Sequence, residues 1–157
     1  MGTQDKAYRE RLGVPLRWWV QGTMLVASLW LAMIVALPPP AAWAIAGVAM
    51  IGLALGLLAY GAARVTVDGG FLRAGRARIA GFHLGASHVL DAEATRRIAG
   101  AEADARAYLL LRPYLKRAVQ VEITDPADPA PYWLISTRHP DELARALAEL
   151  TESPTAG

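Results

Sequence analysis

The stretch WWVQGTMLVASLWLAMIVAL at residues 18–37, with AAWAIAGVAMIGLALGLLAYGAA at residues 41–63, decides the architecture of this chain. No charged residue occurs between Arg17 and Arg64. A helix needs about 20 apolar residues to cross the roughly 30 Å hydrocarbon core of a bilayer, and each run is long enough. Three successive prolines cannot continue a helix, so residues 38–40 are predicted to be a short loop between two antiparallel membrane spans.

Basic residues flank the two predicted spans and are absent from the loop between them. They are Lys6, Arg9, Arg11 and Arg17 before the first span, and Arg64, Arg73, Arg76 and Arg78 after the second. Positive residues favour the cytoplasmic side, so the chain is predicted to be a multi-pass plasma-membrane protein with both termini in the cytoplasm. A cleaved signal peptide is the alternative, because AAWA offers small residues at a cleavage site, although the first apolar run is long for such a peptide.

Small residues recur four apart on both predicted spans. They are Ser28, Ala32 and Ala36 on the first span and Gly52 and Gly56 on the second. In lipid such stripes let helices approach closely, so they could close the hairpin or bind a helix of another membrane protein. The general abundance of alanine and glycine explains the same pattern. No ionisable residue lies within either span, which favours anchoring in the bilayer over transport.

The composition narrows the possible chemistry. The 157 residues include no cysteine, which excludes disulfides, thiolate zinc sites and cysteine nucleophiles. The formal net charge of +2 gives no case for a nucleic-acid partner. The three histidines have no carboxylates at metal-ligand spacing, and the glycines form no phosphate loop. No metal and no cofactor are therefore expected.

From Arg64 onward the pattern changes to short alternating runs, which are typical of β-strands. Strands are predicted at residues 64–67, 71–75, 76–82, 87–92, 107–113, 118–124 and 131–137. Asp68-Gly69-Gly70 predicts a tight hairpin turn between the first two strands. Residues 93–106 are either a long loop or a short helix. A final helix is predicted from Pro140 to about Leu150, with leucines recurring on one face.

This order predicts an α+β membrane protein with four parts. They are a cytoplasmic juxtamembrane segment at residues 1–17, a transmembrane helical hairpin at 18–63, a cytoplasmic β-rich domain at 64–152 and a flexible tail at 153–157. The β-rich domain is predicted to be a small, strongly bent antiparallel sheet. It is similar to the barrel-like pleckstrin-homology domains, with one C-terminal helix packed against the sheet.

The C-terminal stretch DPADPAPYWLISTRHPDEL, at residues 125–143, admits two interpretations. In the simpler one it is a turn, a strand with one buried face and a helix start. In the other, Arg138, His139 and free N–H groups of the helix start bind a phosphate or carboxylate. Ser136, His139 and Asp141 have the residue types of a catalytic triad. They are crowded into six positions without a nucleophile elbow, so catalysis is not expected there.

A second candidate site is the cluster Arg73, Arg76 and Arg78. Arg76 and Arg78 are predicted to share one face of a strand, because side chains alternate with a period of two. The cluster either contacts anionic lipid headgroups or only fixes the orientation of the spans.

The segments YRERL, RPYLKRAV and residues 125–143 resemble a family of small two-span membrane proteins of actinobacteria, domain of unknown function 3093. The resemblance covers essentially the whole chain. It implies a membrane protein and provides no catalytic residue to carry over. The expected function is that of a non-enzymatic, membrane-anchored adaptor or scaffold whose cytoplasmic domain binds a protein partner or anionic lipid headgroups. The alternative is an enzyme acting on a membrane-associated substrate, which a cleft lined by arginine and histidine beside a perturbed acid would favour.

Overall fold

The computed structural model describes residues 7–152. The predicted tail at 153–157 and the first six residues of the predicted juxtamembrane segment lie outside the described residues. The described chain divides into two compact units. A helical unit covers residues 13–63, and a β-rich unit combines residues 7–12 with residues 64–152.

Two long apolar helices form the helical unit. These are α1 at Leu16–Ala36 and α2 at Pro39–Tyr60. The loop between the helices is shorter than the predicted loop at residues 38–40, because α2 already begins at the second proline, Pro39. Proline suits the first turn of a helix, where the missing N–H would have no partner in any case. Ring pairs at the two ends, Trp18 with Tyr60 and Trp30 with Trp43, show that the helices run antiparallel.

The close contact between α1 and α2 lies at Gly22. A β-carbon added to Gly22 would be 2.7 Å from a Leu53 methyl carbon, so a larger residue there would require the Leu53 side chain to move. The small residues of the predicted stripes are exposed instead: Ser28, Ala32, Ala36, Gly52 and Gly56. Nothing lies within 4 Å of a β-carbon added at either of these two glycines. The alternative in which the stripes close the hairpin is therefore wrong.

Large apolar side chains are exposed along both helices. Val35 is 88% exposed, and Leu25 and Val48 are each 72% exposed. Both helices are long and apolar enough to cross a membrane. An apolar surface of this extent is unfavourable in water, so the helical unit needs lipid or protein around it.

The first sheet of the β-rich unit has four antiparallel strands in the order β1-β2-β3-β4. They are β1 at Tyr8–Arg11, β2 at Arg64–Asp68, β3 at Phe71–Ala74 and β4 at Ala77–Ala80. The predicted tight turn joins β2 to β3, with Gly69 and Gly70 both at positive φ. Strand β1 was not predicted. It precedes the helical unit in the chain and pairs with β2, which follows that unit.

The second sheet also has four strands, in the order β5-β7-β8-β6. They are β5 at Leu84–Leu90, β6 at Tyr108–Leu110, β7 at Ala118–Ile123 and β8 at Tyr132–Ser136. The prediction of a wholly antiparallel sheet is wrong for β6 and β8, which pair in parallel. In a simple hairpin β6 would pair with β7, the next strand in the chain, in the antiparallel direction. Here β8 lies beside β6 instead. Among the described strands the two sheets do not join into a closed barrel, so the barrel-like closure is also wrong.

Two helices cover the second sheet and fill the core. The sequence predicts a long loop or a short helix at residues 93–106, and helix α3 at Ala92–Ala99 forms the first part of that segment. Its side chains pack around Leu134. Strand β8 is therefore buried on both faces, whereas the sequence predicted one buried face. Helix α4 at Pro140–Glu152 contacts both sheets, with Leu143 and Leu147 buried.

Candidate functional site

A buried carboxylate connects β1 to the loop between β8 and α4. Glu10 is 8% exposed, and both of its carboxylate oxygens accept hydrogen bonds. Oε2 accepts from the hydroxyls of Tyr8 at 2.6 Å and Thr137 at 2.5 Å, and Oε1 accepts from the backbone N–H of Arg138 at 2.9 Å. The two hydroxyls are also 3.0 Å from each other. Because burying an unpaired charge is costly, these bonds are what allow Glu10 to lie in the interior.

The predicted anion site at Arg138 and His139 lies beside this cluster. The carboxylate nearest to the Arg138 guanidinium is that of Glu10, at 3.8 Å, so it belongs to the chain itself. The guanidinium also donates to the carbonyl of Arg11. The His139 ring is 56% exposed and lies 3.9 Å from the Glu142 carboxylate. The motifs YRERL and STRHP, far apart in the chain, thus meet at one place.

The cluster also perturbs one acid. Burial and the hydrogen bond to the Glu10 carboxylate raise the pKa of Tyr8, because both disfavour the phenolate.

A groove of about 740 Å³ lies beside the cluster, along β1 and α4. Basic and acidic side chains both line it: Arg9, Arg11, Arg138, His139, Arg145, Glu142 and Glu149. Its charge is mixed, so it does not have the uniform character of a site for one kind of ion.

The outer face of the first sheet is different, because it carries mainly arginines. We call Arg9, Arg11, Arg64, Arg73 and Arg78 the arginine face. All five side chains are exposed and alternate with buried residues along β1 to β4. Within residues 7–152, none of the five guanidinium groups comes within 4.0 Å of a carboxylate.

The strand register brings these arginines together. Arg11 lies opposite Arg64, and Arg73 lies opposite Arg78. A groove of about 510 Å³ runs over this face, with Asp68 as its acidic member.

Arg76 does not share a strand face with Arg78, because it lies in the turn at Gly75-Arg76, before β4 begins at Ala77. That prediction is therefore wrong for Arg76. The neighbour of Arg78 across the hairpin is Arg73.

The structure does not assemble the residues considered for a triad. The Ser136 hydroxyl is buried and accepts a hydrogen bond from the backbone N–H of Arg112 at 3.1 Å, while His139 is exposed. In the part of the chain that the structure describes, no group of three or more metal-ligating side chains could hold a metal ion.

Sequence reasoning missed Tyr8, Glu10, Arg9 and Arg11 as site residues. The signal was present in YRER, where Tyr8 and Glu10 alternate with the two arginines at the period of a strand. Four residues with three charges do not resemble a half-buried strand, and the partner strand is not adjacent in sequence.

The family model described as "Protein of unknown function (DUF3093)" matches residues 7–147. The chain belongs to this family. The matched region includes both apolar helices, both sheets and the Glu10 cluster. No curated protein and no solved structure matches the chain.

Proposed function

We propose that this chain is a non-enzymatic binding module anchored in the plasma membrane, whose arginine face contacts anionic lipid headgroups. The observation that carries the proposal is the arginine face itself. Five guanidinium groups share one exposed sheet surface without a carboxylate partner among the described residues, and an anion from outside the chain would balance them.

Anchoring rests on the helical unit. Its exposed leucines, valines and isoleucines require an apolar medium, and both helices have the length to cross a bilayer. The basic residues that flank the hairpin favour cytoplasmic ends.

The pairing of β1 with β2 supports a retained hairpin over a cleaved signal peptide. The two strands lie on either side of the hairpin in the chain, so both must be on the same side of a membrane that the helices cross. Cleavage near AAWA would remove β1, and with it the Glu10 carboxylate that holds Thr137 and Arg138.

The chain also limits how far the arginines can be from the ends of the helices. Five Cα-to-Cα steps separate Arg11 from Leu16 and four separate Tyr60 from Arg64, which span at most about 14 to 18 Å when fully extended. The Debye length at physiological salt is about 8 Å, and each basic residue near an anionic surface contributes about 1 kcal/mol. The headgroup region extends about 5 to 7 Å beyond the hydrocarbon core, so Arg11 and Arg64 would stay within about one to two Debye lengths of its charge.

The enzymatic alternative has one feature in its favour, the groove beside Arg138 and His139. Tyr8 and Glu10 are the buried acids that line it, whereas Glu142 and Glu149 at its rim are exposed. Both oxygens of Glu10 already accept hydrogen bonds, and the raised pKa of Tyr8 keeps its proton bound at neutral pH. Neither group is poised to exchange a proton with a substrate, so binding is the better-supported function.

The headgroup contact can be tested with a fluorophore on the arginine face. The chain has no native cysteine, so Thr66→Cys in the full chain gives a single site for an environment-sensitive dye. In nanodiscs that contain phosphatidylglycerol, the emission should shift to the blue relative to phosphatidylcholine nanodiscs, and high salt should reverse the shift. The matched control is Ala127→Cys, in an exposed turn, whose emission should not change. No shift at position 66 at low salt would contradict headgroup contact and make a protein partner the better explanation.

A further inference from the structure

Two arginines of the arginine face lie directly opposite each other, which is unfavourable unless something neutralises them. Arg73 on β3 pairs in register with Arg78 on β4, beside the two-residue turn Gly75-Arg76. The β-carbons of two residues at such opposite positions are about 4.5 to 5.5 Å apart, and like charges on them are destabilising. Within residues 7–152 no carboxylate lies within 4.0 Å of either guanidinium.

The surroundings of this pair have the parts of an anion site. Thr66, on β2, is the register partner of Arg73 on its other side, so its hydroxyl lies in the same row. The Arg78 guanidinium sits over the ring of Phe71 at 3.7 Å, which restricts its orientation without using its N–H donors. These residues line the groove of about 510 Å³.

We propose that Arg73, Arg78 and Thr66 form a binding site for a phosphate monoester, presented by a lipid headgroup of the phosphatidic acid type. A monoester carries about −1.5 to −2 charges at neutral pH, because its second pKa is near 6, and it has three acceptor oxygens. That charge neutralises two opposed guanidinium groups, whereas a phosphodiester such as phosphatidylglycerol carries one negative charge. Two arginine forks can also bind the three terminal oxygens of a monoester, whereas a diester offers only two.

Asp68 lies in the same groove. Its carboxylate repels a second anion, so the groove should hold one phosphate group. The site rests on the proposed function, since it names the headgroup that the arginine face would select.

The test is native mass spectrometry of the full chain, released from detergent micelles that contain equal amounts of phosphatidic acid and phosphatidylglycerol with the same acyl chains. The chain should carry about fivefold more phosphatidic acid, which corresponds to one additional charge interaction. Arg73→Gln with Arg78→Gln should bring the ratio close to one. The control is Arg96→Gln with Lys116→Gln, which removes the same charge from exposed positions outside the first sheet and should leave the ratio unchanged.

Two further measurements test whether the fork geometry of arginine is needed and whether the bound phosphate group comes from a lipid or from free phosphate. Arg73→Lys with Arg78→Lys keeps the charge but loses the planar fork, and should lower the selectivity. Millimolar inorganic phosphate should displace phosphatidic acid if the phosphate group alone is recognised. If inorganic phosphate leaves the binding of phosphatidic acid unchanged, the site recognises the phosphate group as part of the lipid.

Equal binding of the two lipids by the unaltered chain would overturn the monoester site and leave general headgroup contact standing. Binding of neither lipid above phosphatidylcholine would overturn the proposed headgroup function as well.

Discussion

Replacing Glu10 by alanine is expected to destabilise the β-rich unit by about 3 kcal/mol. The side chain is almost fully buried and accepts hydrogen bonds from Tyr8, Thr137 and the Arg138 backbone. Hydrogen bonds to a charged group contribute about 1.5 to 3 kcal/mol each, but the burial of the carboxylate offsets part of this sum. In the alanine variant the two hydroxyls can bond each other, since they are already 3.0 Å apart. The hydrogen bond from the Arg138 backbone N–H to Glu10 would be lost.

Glu10→Gln should have a smaller effect, about 1 to 2 kcal/mol. The amide keeps the volume of the carboxylate and one acceptor oxygen, but its NH₂ group would face a donor. The control is Glu149→Ala on an exposed position of α4, which should change the stability by less than about 0.5 kcal/mol.

The measurement is hydrogen exchange of the full chain in detergent micelles. Amides of β7, in the middle of the second sheet, exchange only when the unit opens and therefore report its free energy of unfolding. For a domain of about 100 residues, 3 kcal/mol also corresponds to a melting temperature lower by roughly 10 to 20 °C. If Glu10→Ala exchanged like Glu149→Ala, the cluster would contribute nothing to stability and the reasoning from its hydrogen bonds would be refuted.

Two other predictions concern the pH response and the membrane topology. The raised pKa of Tyr8 means that the unfolded chain loses this proton first, so stability should fall as the pH rises above about 10. Tyr8→Phe should flatten that fall between about pH 9 and 11 in the same exchange measurement, and equal slopes would contradict the burial of the phenol. For topology, an impermeant maleimide added to intact cells should label Pro40→Cys, in the first turn of α2, and should label Ala103→Cys only after permeabilisation. Labelling of position 103 in intact cells would place the β-rich unit outside.

Much of the fold could be predicted because its signals are local. The apolar runs define α1 and α2 by length alone, and Asp68-Gly69-Gly70 specifies a turn that needs positive φ at both glycines. Pro140 and the leucines after it likewise predict α4. Each of these signals depends on residues within one element, so the sequence alone is enough to predict that element.

The arrangement of strands and the site depend on residues far apart in the chain. Glu10 and Thr137 are separated by 127 positions. No local pattern shows that the charged segment YRER will be an edge strand whose glutamate accepts a hydrogen bond from the Thr137 hydroxyl. In the same way, the sequence placed Arg76 beside Arg78, whereas the two-residue turn set Arg73 opposite Arg78. Side-chain type and periodicity are properties of the chain, and they determined the helices, the turns and the excess of arginine near the hairpin. Which strand lies beside which is decided by burial and hydrogen bonding between distant segments, so only the tertiary structure assembled the arginine face and the Glu10 cluster.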